Sequence, residues 1–310
     1  MEPPVKVCVI GTGAIGGYYG FRLNQAGAEL HTVCRSDYQE IRENGLTVHT
    51  GGKTHTVHPA GVYRSMDECP PVDYCIIATK VLPGLDRAAL LGKTLSPETT
   101  IVLIQNGINI EEPIAQAFPE NTIISCLAFI CVTRTSPGVI EHLDYGRLVI
   151  GKFPEGGSER VDILARLFDS AGVNCTIDEN IIQARWKKLV WNAPFNPLSV
   201  LAGGVDTREM LTHEEMIATV RRVMEEVVEI ATAAGHPIGK DFIESMIADT
   251  GKMTPYRTSM LVDYENGRPM EVDAILGEPL RTARNMNVKV PVMQTLHSLL
   301  DMVDRKNRDQ

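Results

Sequence analysis

Lys188, Asn192 and Asn196 are spaced four residues apart and share one face if residues 178–201 are helical. A lysine above two carboxamides offers hydrogen-bond donors to a carbonyl oxygen and to a carboxylate, the two groups that a 2-oxo acid displays. Composition alone would make this a solvated helix face. Trp186, Leu189, Val190, Trp191 and Phe195 surround it with apolar bulk, however, which points to partial burial. Pro194 and Pro197 each lack an amide and can kink the segment, so the shared face is weakest toward Asn196. A second group runs from Tyr256 through Ser259 and Asp263 to Glu271 and Asp273 and mixes caps, turns and acids. By spacing alone, Glu271 and Asp273 are first-turn acids that favour the dipole of the following helix.

The segment Gly11-Thr12-Gly13-Ala14-Ile15-Gly16 follows an apolar run and opens a helical one, the context in which a G-x-G-x-x-G spacing binds a dinucleotide. Gly11 permits the tight turn, Gly13 lets the backbone approach a pyrophosphate, and Gly16 allows close packing of helix on strand. An NAD-type unit would carry Asp or Glu at the end of the second strand, for the ribose 2′-hydroxyl. The chain reads Val33-Cys34-Arg35-Ser36 there. Arg35 suits a 2′-phosphate and Ser36 adds a hydroxyl, so NADP is expected rather than NAD. Asp37 can cap the next helix, a role that needs no cofactor. Lys80 and Asn106-Gly107 follow further strand-like runs, at the chain positions where such sheets bind ligands, although either is ordinarily a plain turn.

These residues need a scaffold, and the hydrophobic pattern supplies one in two parts. To about residue 177, short apolar runs alternate with amphipathic stretches, as in βαβ units around a mostly parallel sheet. Strands are expected at 5–10, 29–34, 73–79, 100–105 and 122–128, and helices near 15–25, 37–43 and 111–117. A hairpin is expected to turn at Gly51-Gly52. Beyond 178 the period becomes helical. Thr212 with Glu215 has capping-box spacing ahead of Met216, Val220, Val223, Val227 and Ile230, Gly235 and Pro237 form a stop, and Pro291 opens a last helix whose end, 304–310, is expected to fray. The expectation is an α/β Rossmann-like dinucleotide-binding domain over 1–177 followed by an all-α domain over 178–310.

The 310 residues suffice for two cores, and the formal net charge of -9 argues against nucleic acid or an anionic membrane as partner. No apolar run is long enough to span a bilayer and no leader pattern opens the chain, so a cytoplasmic protein with a small-molecule partner is expected. The seven cysteines are odd in number and lack paired C-x-x-C spacing, and the eight histidines show no ligand spacing, so buried thiols and no metal are expected. Several apolar faces in the helical part would suit a homodimer.

Taken together, the glycine motif, Arg35, Lys80, Gln105-Asn106-Gly107, Thr133-Arg134-Thr135 with Pro137-Gly138, Trp186-Lys187-Lys188-Leu189 with Asn192 and Asn196-Pro197, and Ser259-Met260-Leu261 through Glu271 resemble, in order and spacing, the 2-dehydropantoate 2-reductase (ketopantoate reductase) family over nearly the whole chain. The resemblance implies NADPH-dependent reduction of 2-dehydropantoate to pantoate, within pantothenate and coenzyme A biosynthesis. It implies Lys188 as general acid and Asn106, Asn192, Asn196 and Ser259 as substrate-binding residues, with Asn106 also at the cofactor. Glu271 would bind the hydroxyl side or orient Lys188. Two positions depart from the family pattern: Val262 replaces a glutamine, and Tyr256 stands where some members carry an asparagine. Another 2-oxo acid, or an NADP-binding sensor without catalysis, are the competing readings.

Overall fold

The computed structural model describes residues 3–93, 95–239 and 241–308. The chain forms two compact units. One holds the residues up to Lys80 together with Leu85–Gln105 and Ile110–Ile181. The other holds Val81–Gly84, Asn106–Asn109 and the chain from Ile182 onward. The expected division at 177/178 thus moves to 181/182, and two short segments from the first half join the helical unit. The cause is local: Ile108 is buried in the helical core, and the polar atoms of residues 81 and 106 are held by residues of that unit.

The first unit is built on one sheet of β1 (Lys6–Ile10), β2 (Glu29–Val33), β3 (Leu46–Thr50), β4 (Lys53–Val57), β5 (Gly61–Tyr63), β6 (Tyr74–Ile77), β7 (Thr100–Ile104), β8 (Ile123–Ser136), β9 (Val139–Phe153) and β10 (Cys175–Ile177). Strands β5, β2, β1, β6, β7 and β8 lie side by side and all parallel, the order 3-2-1-4-5-6 of a dinucleotide-binding sheet. Their near-continuous burial explains apolar runs without alternation. Helices α1 (Ala14–Gln25), α2 (Tyr38–Asn44), α3 (Glu112–Ala117) and α4 (Glu159–Ser170) complete the unit.

The β3–β4 hairpin turns through Gly51 (φ +56°) and Gly52 (φ +72°), the pair of positive φ values that a two-residue turn requires. Strand β8 runs well past the expected residue 128, and β9, which pairs antiparallel with it, was not expected at all. The β8–β9 ladder slips at Phe129/Ile130, Cys131/Val132 and Arg134/Ser136, and each slip breaks the period-two alternation by which a strand is read. None of the seven cysteines forms a disulfide, and five are buried. Burial pushes the Cys175 thiol up to about 12.

The second unit is helical: α5 (Ile181–Leu201), α6 (Thr207–Met210), α7 (Glu214–Ala233), α8 (Asp241–Lys252), α9 (Ser259–Glu265), α10 (Glu278–Asn285) and α11 (Pro291–Arg308). Despite Pro194 and Pro197, α5 is one 21-residue helix, because its Leu189, Val190, Ala193, Phe195, Leu198 and Val200 are buried in the core. The expected cap at Thr212 is not formed. The Thr212 hydroxyl donates to the Glu209 carbonyl, and the capping box belongs to Asp206 and Glu209, one element earlier. Helix α7 ends as expected at Gly235 (φ +88°), with His236 N–H returning to the Ala231 carbonyl. The end expected to fray is helical through Arg308, and buried Asp304 accepts from the Met270 amide at 2.8 Å; Asp309 and Gln310 lie outside the described residues.

On α7, Glu226 is fully buried, and its carboxylate accepts from the amides of Val292 (3.1 Å) and Met293 (2.8 Å) in the first turn of α11. Pro291 has no amide to satisfy, so this one side chain closes the helix start. Glu226→Ala leaves both amides without a partner, the Met293 one buried and the Val292 one half-buried, and a loss of about 2–4 kcal/mol is expected in urea unfolding. Glu226→Gln retains an acceptor and should lose less. An unchanged midpoint in the alanine variant would show that the helix start is satisfied some other way.

Candidate active site

In the first unit, the glycines form a cradle. Gly11 has φ +91° and its amide donates to the Val33 carbonyl at 2.9 Å; a Cβ there would sit 2.8 Å from the Thr79 methyl. A Cβ at Gly16 would overlap the Gly11 carbonyl oxygen, so only glycine lets α1 pack this closely on β1. Gly13 differs: a Cβ there meets no atom within 4 Å, so open space faces the start of α1. As the residue preceding α1, Gly13 also brings no side-chain cap to the first-turn amides. Thr12 is buried, and Gly13, Ala14 and Ile15 are half-buried. The cradle fits a dinucleotide pyrophosphate. Gln105, read from the sequence only as part of the Gln105-Asn106-Gly107 turn, supports it by donating to the Thr79 carbonyl at 2.6 Å. Lys80 is half-buried after β6.

At the end of β2, Arg35 and Ser36 are exposed. Asp37 is 3% exposed and precedes α2, but its side chain does not cap that helix. Its carboxylate accepts instead from Arg134 of β8, at 2.9 Å from Nε and 2.5 Å from Nη2, and from the Ser36 hydroxyl at 2.7 Å.

In the second unit, a polar series runs through three of the expected residues. Lys188 Nζ donates to Asn106 Oδ1 at 3.1 Å, and Asn106 Nδ2 donates to Glu271 Oε2 at 3.0 Å. Glu271 Oε1 accepts from the Val81 amide at 2.9 Å. A carboxamide can satisfy an ammonium and a carboxylate at once because it carries an acceptor and donors on one plane. Arg185, one turn before Lys188 and 2% exposed, donates to the Gly107 carbonyl at 3.0 Å and so fixes the turn that carries Asn106. Nothing in the sequence marks Arg185 or the Val81 amide, since one is a basic residue among several and the other a backbone group.

Asn192 and Asn196 lie further along α5, at 7% and 3% exposure, and Asn196 Oδ1 is buried without a hydrogen-bond partner. Ser259 is exposed in the first turn of α9, behind Thr258, whose hydroxyl caps the Leu261 amide. Tyr256 packs its ring 6.0 Å from that of Trp191, which stacks on Phe195 at 4.9 Å. The polar series thus joins Lys188, Asn106 and Glu271, whereas Asn192, Asn196 and Ser259 stand outside it.

Glu271 is followed by a wide turn of π type over Asp273–Gly277, and Arg281 holds that turn by a two-pronged bridge to Asp273, both contacts 2.8 Å. A Cβ at Gly277 would overlap the Asp273 carboxylate. Asp273 is therefore more than a first-turn acid.

A six-stranded parallel order with a glycine cradle at its centre defines a dinucleotide-binding fold, and comparison with known proteins gives the class. The model described as Ketopantoate reductase PanE/ApbA matches residues 7–155, and that described as Ketopantoate reductase PanE/ApbA C terminal matches residues 180–304. The chain belongs to the ketopantoate reductase family, oxidoreductases acting on a CH–OH group. A 2-dehydropantoate 2-reductase of Nostoc sp. is 35% identical over 308 residues, 98% of this chain and 96% of its own. The crystal structure of 2-dehydropantoate 2-reductase from Methylococcus capsulatus superposes with a TM-score of 0.92 at 46% identity, covering 98% of each chain. A D-mandelate dehydrogenase solved with NADH and anilino(oxo)acetate shares the fold, with a TM-score of 0.89 at 21% identity over 98% of this chain and 99% of its own. No helix among the described residues is long and apolar enough to cross a membrane.

The hydrogen bonds from Arg281 hold Asp273 below the ordinary carboxylate range, against the opposing effect of burial. A lowered folded-state value means stability that is present above the unfolded value and lost as pH falls through the folded one. Arg281→Met should therefore melt below wild type by a constant margin from about pH 5 to 8, and the margin should shrink below about pH 4. Melting curves across that range check this; a margin of the same size at pH 3 would disprove the linkage.

Proposed function

We propose that the chain reduces 2-dehydropantoate to pantoate with NADPH, a step in pantothenate and coenzyme A biosynthesis. The observation that carries the reading is the series Lys188–Asn106–Glu271 within the second unit. The relatives named 2-dehydropantoate 2-reductase support the substrate, and Arg35 with Ser36 in the place of an acidic residue supports NADP over NAD.

In this reading the glycine cradle of the first unit holds the pyrophosphate, Arg35 and Ser36 receive the 2′-phosphate, and Lys80 completes that unit's cofactor contacts. The bound cofactor supplies a hydride to the carbonyl carbon. Lys188 stabilises the charge that grows on the ketone oxygen and then transfers a proton to it from Nζ. The oxygen becomes the product hydroxyl, and the neutral amine regains its proton from solvent. Asn106 spends its carbonyl on Nζ, which limits where that ammonium can point. Glu271, tethered by the Val81 amide, holds Asn106 in the orientation that does so. Buried Asn192 and Asn196 and exposed Ser259 are assigned to the substrate's carboxylate and hydroxyl, and the unpartnered Asn196 Oδ1 suits a hydroxyl donor.

The Tyr256 ring against Trp191 favours one variation on this reading. It puts an aromatic group where some relatives have an amide, and an apolar contact of that kind would favour a 2-oxo acid with a bulkier or less polar side chain.

The decisive assay follows NADPH oxidation with 2-dehydropantoate, with NADH and a panel of 2-oxo acids in parallel. Rapid turnover restricted to NADPH and 2-dehydropantoate is expected. Turnover of a different acid would move the assignment to that substrate. Lys188→Ala should lower kcat by about 10²–10⁴-fold with nucleotide affinity unchanged. If its kcat and pH profile match wild type, Lys188 is not the proton donor.

A further inference from the structure

The NADPH reading leaves Asp37 unexplained. A carboxylate two residues beyond Arg35 should repel the 2′-phosphate, which carries about 1.5 to 2 negative charges at neutral pH. Nor is Asp37 there to cap α2, since its side chain makes no cap bond. We infer that Arg134 determines the preference for a 2′-phosphorylated nucleotide by neutralising Asp37 and fixing the Ser36 hydroxyl beside it, an inference that rests on the NADPH reading.

Both oxygens of Asp37 are committed: Oδ2 accepts from Arg134 Nε at 2.9 Å, and Oδ1 accepts from Nη2 at 2.5 Å and from Ser36 Oγ at 2.7 Å. Arg134 Nη2 also donates to Ser36 Oγ at 3.3 Å, so one guanidinium spans the acid and the hydroxyl. A planar fork against a carboxylate is the arrangement in which arginine holds its partner most firmly. The pair is set by the fold. Gly138 (φ +69°), in the turn after β8, packs so tightly on α2 that a Cβ there would lie 2.9 Å from Glu40 Cγ, and its carbonyl accepts from the Thr47 amide at 2.8 Å.

Beyond the Asp37–Arg134 pair, two further arginines lie at this end of the sheet, Arg35 and Arg64, with Glu68 Oε2 accepting from the Arg64 amide at 3.4 Å. Arg35 is exposed at the end of β2. Tyr63, paired with Val33 across the β2–β5 ladder, puts Arg64 at the end of the neighbouring strand, with its guanidinium 4.1 Å from the centre of the Tyr38 ring. Without Arg134, the unmasked Asp37 would add one negative charge to this corner. A dianionic phosphate monoester is sensitive to that difference, whereas a ribose hydroxyl is not. Arg134 is thus a positioning residue that acts on the phosphate through Asp37.

The test is calorimetric and needs no turnover. 2′,5′-ADP and 5′-AMP, which differ by the 2′-phosphate, are titrated into full-length wild type, Arg134→Met, Asp37→Asn and the double variant. Wild type should prefer 2′,5′-ADP. Arg134→Met should cut that preference about tenfold, as expected for one unmasked like charge nearby, with the 5′-AMP affinity within about twofold of wild type. The double variant should recover most of the preference, because it removes the charge that Arg134 had masked. An unchanged preference in Arg134→Met overturns the inference, and so does a double variant no better than the single one, which would mean that Arg134 grips the phosphate directly. If Arg134→Met loses 5′-AMP binding through misfolding, Asp37→Asn decides alone: its preference should equal or exceed wild type, and a fall overturns the masking role. Absence of any preference in wild type would instead remove the NADPH reading itself.

Discussion

Asn106 stands between an ammonium and a carboxylate and is hydrogen-bonded to both. An ammonium and a carboxylate left in contact form an ion pair whose geometry is loose and whose charges cancel. Set between Lys188 and Glu271, the carboxamide gives its oxygen to one and its N–H to the other, at 3.1 and 3.0 Å. Nζ of the lysine and the carboxylate are thereby each fixed in direction by one side chain. Much of the second unit serves that arrangement: Arg185 pins the Gly107 carbonyl, the Val81 amide tethers the far oxygen of Glu271, and the Asp273–Arg281 bridge closes the wide turn just after Glu271.

Arginine appears twice in a further supporting role, and both times it is paired with an acid whose charge would be awkward if left bare. Arg281 serves Asp273 near the polar series, and Arg134 serves Asp37 near the end of β2. In each case the forked geometry fixes a direction as well as balancing a charge.

What could be read from the sequence was what is local. The glycine cradle lies within a strand, a turn and a helix of consecutive residues, so its spacing carried its meaning; the Gly51-Gly52 hairpin and the Gly235 stop were legible for the same reason. The α5 register was legible as well, although the burial of its core side had to overcome two prolines. Contacts between distant segments were not legible. Asp37 and Arg134 are 97 positions apart, Asn106 and Glu271 are 165 apart, and the acid chosen at 271 came from family resemblance because spacing could not select it. Capping failed for a subtler reason. Asp206-x-x-Glu209 and Thr212-x-x-Glu215 carry the same signal six residues apart, and the chain forms a box only at the first.

The helical unit does not consist of the C-terminal half alone, because Val81–Gly84 and Asn106–Asn109 belong to it. The boundary of the compact body and the boundary along the chain are therefore different things. A helical segment cut out at residue 182 would keep the lysine and the glutamate but lose the amide between them and the backbone N–H behind them. The two halves of this chain are not exchangeable modules: a nucleotide-binding half grafted from another protein would have to bring a suitable asparagine, and a backbone amide at the position of Val81, before the lysine of the recipient had anything to point it.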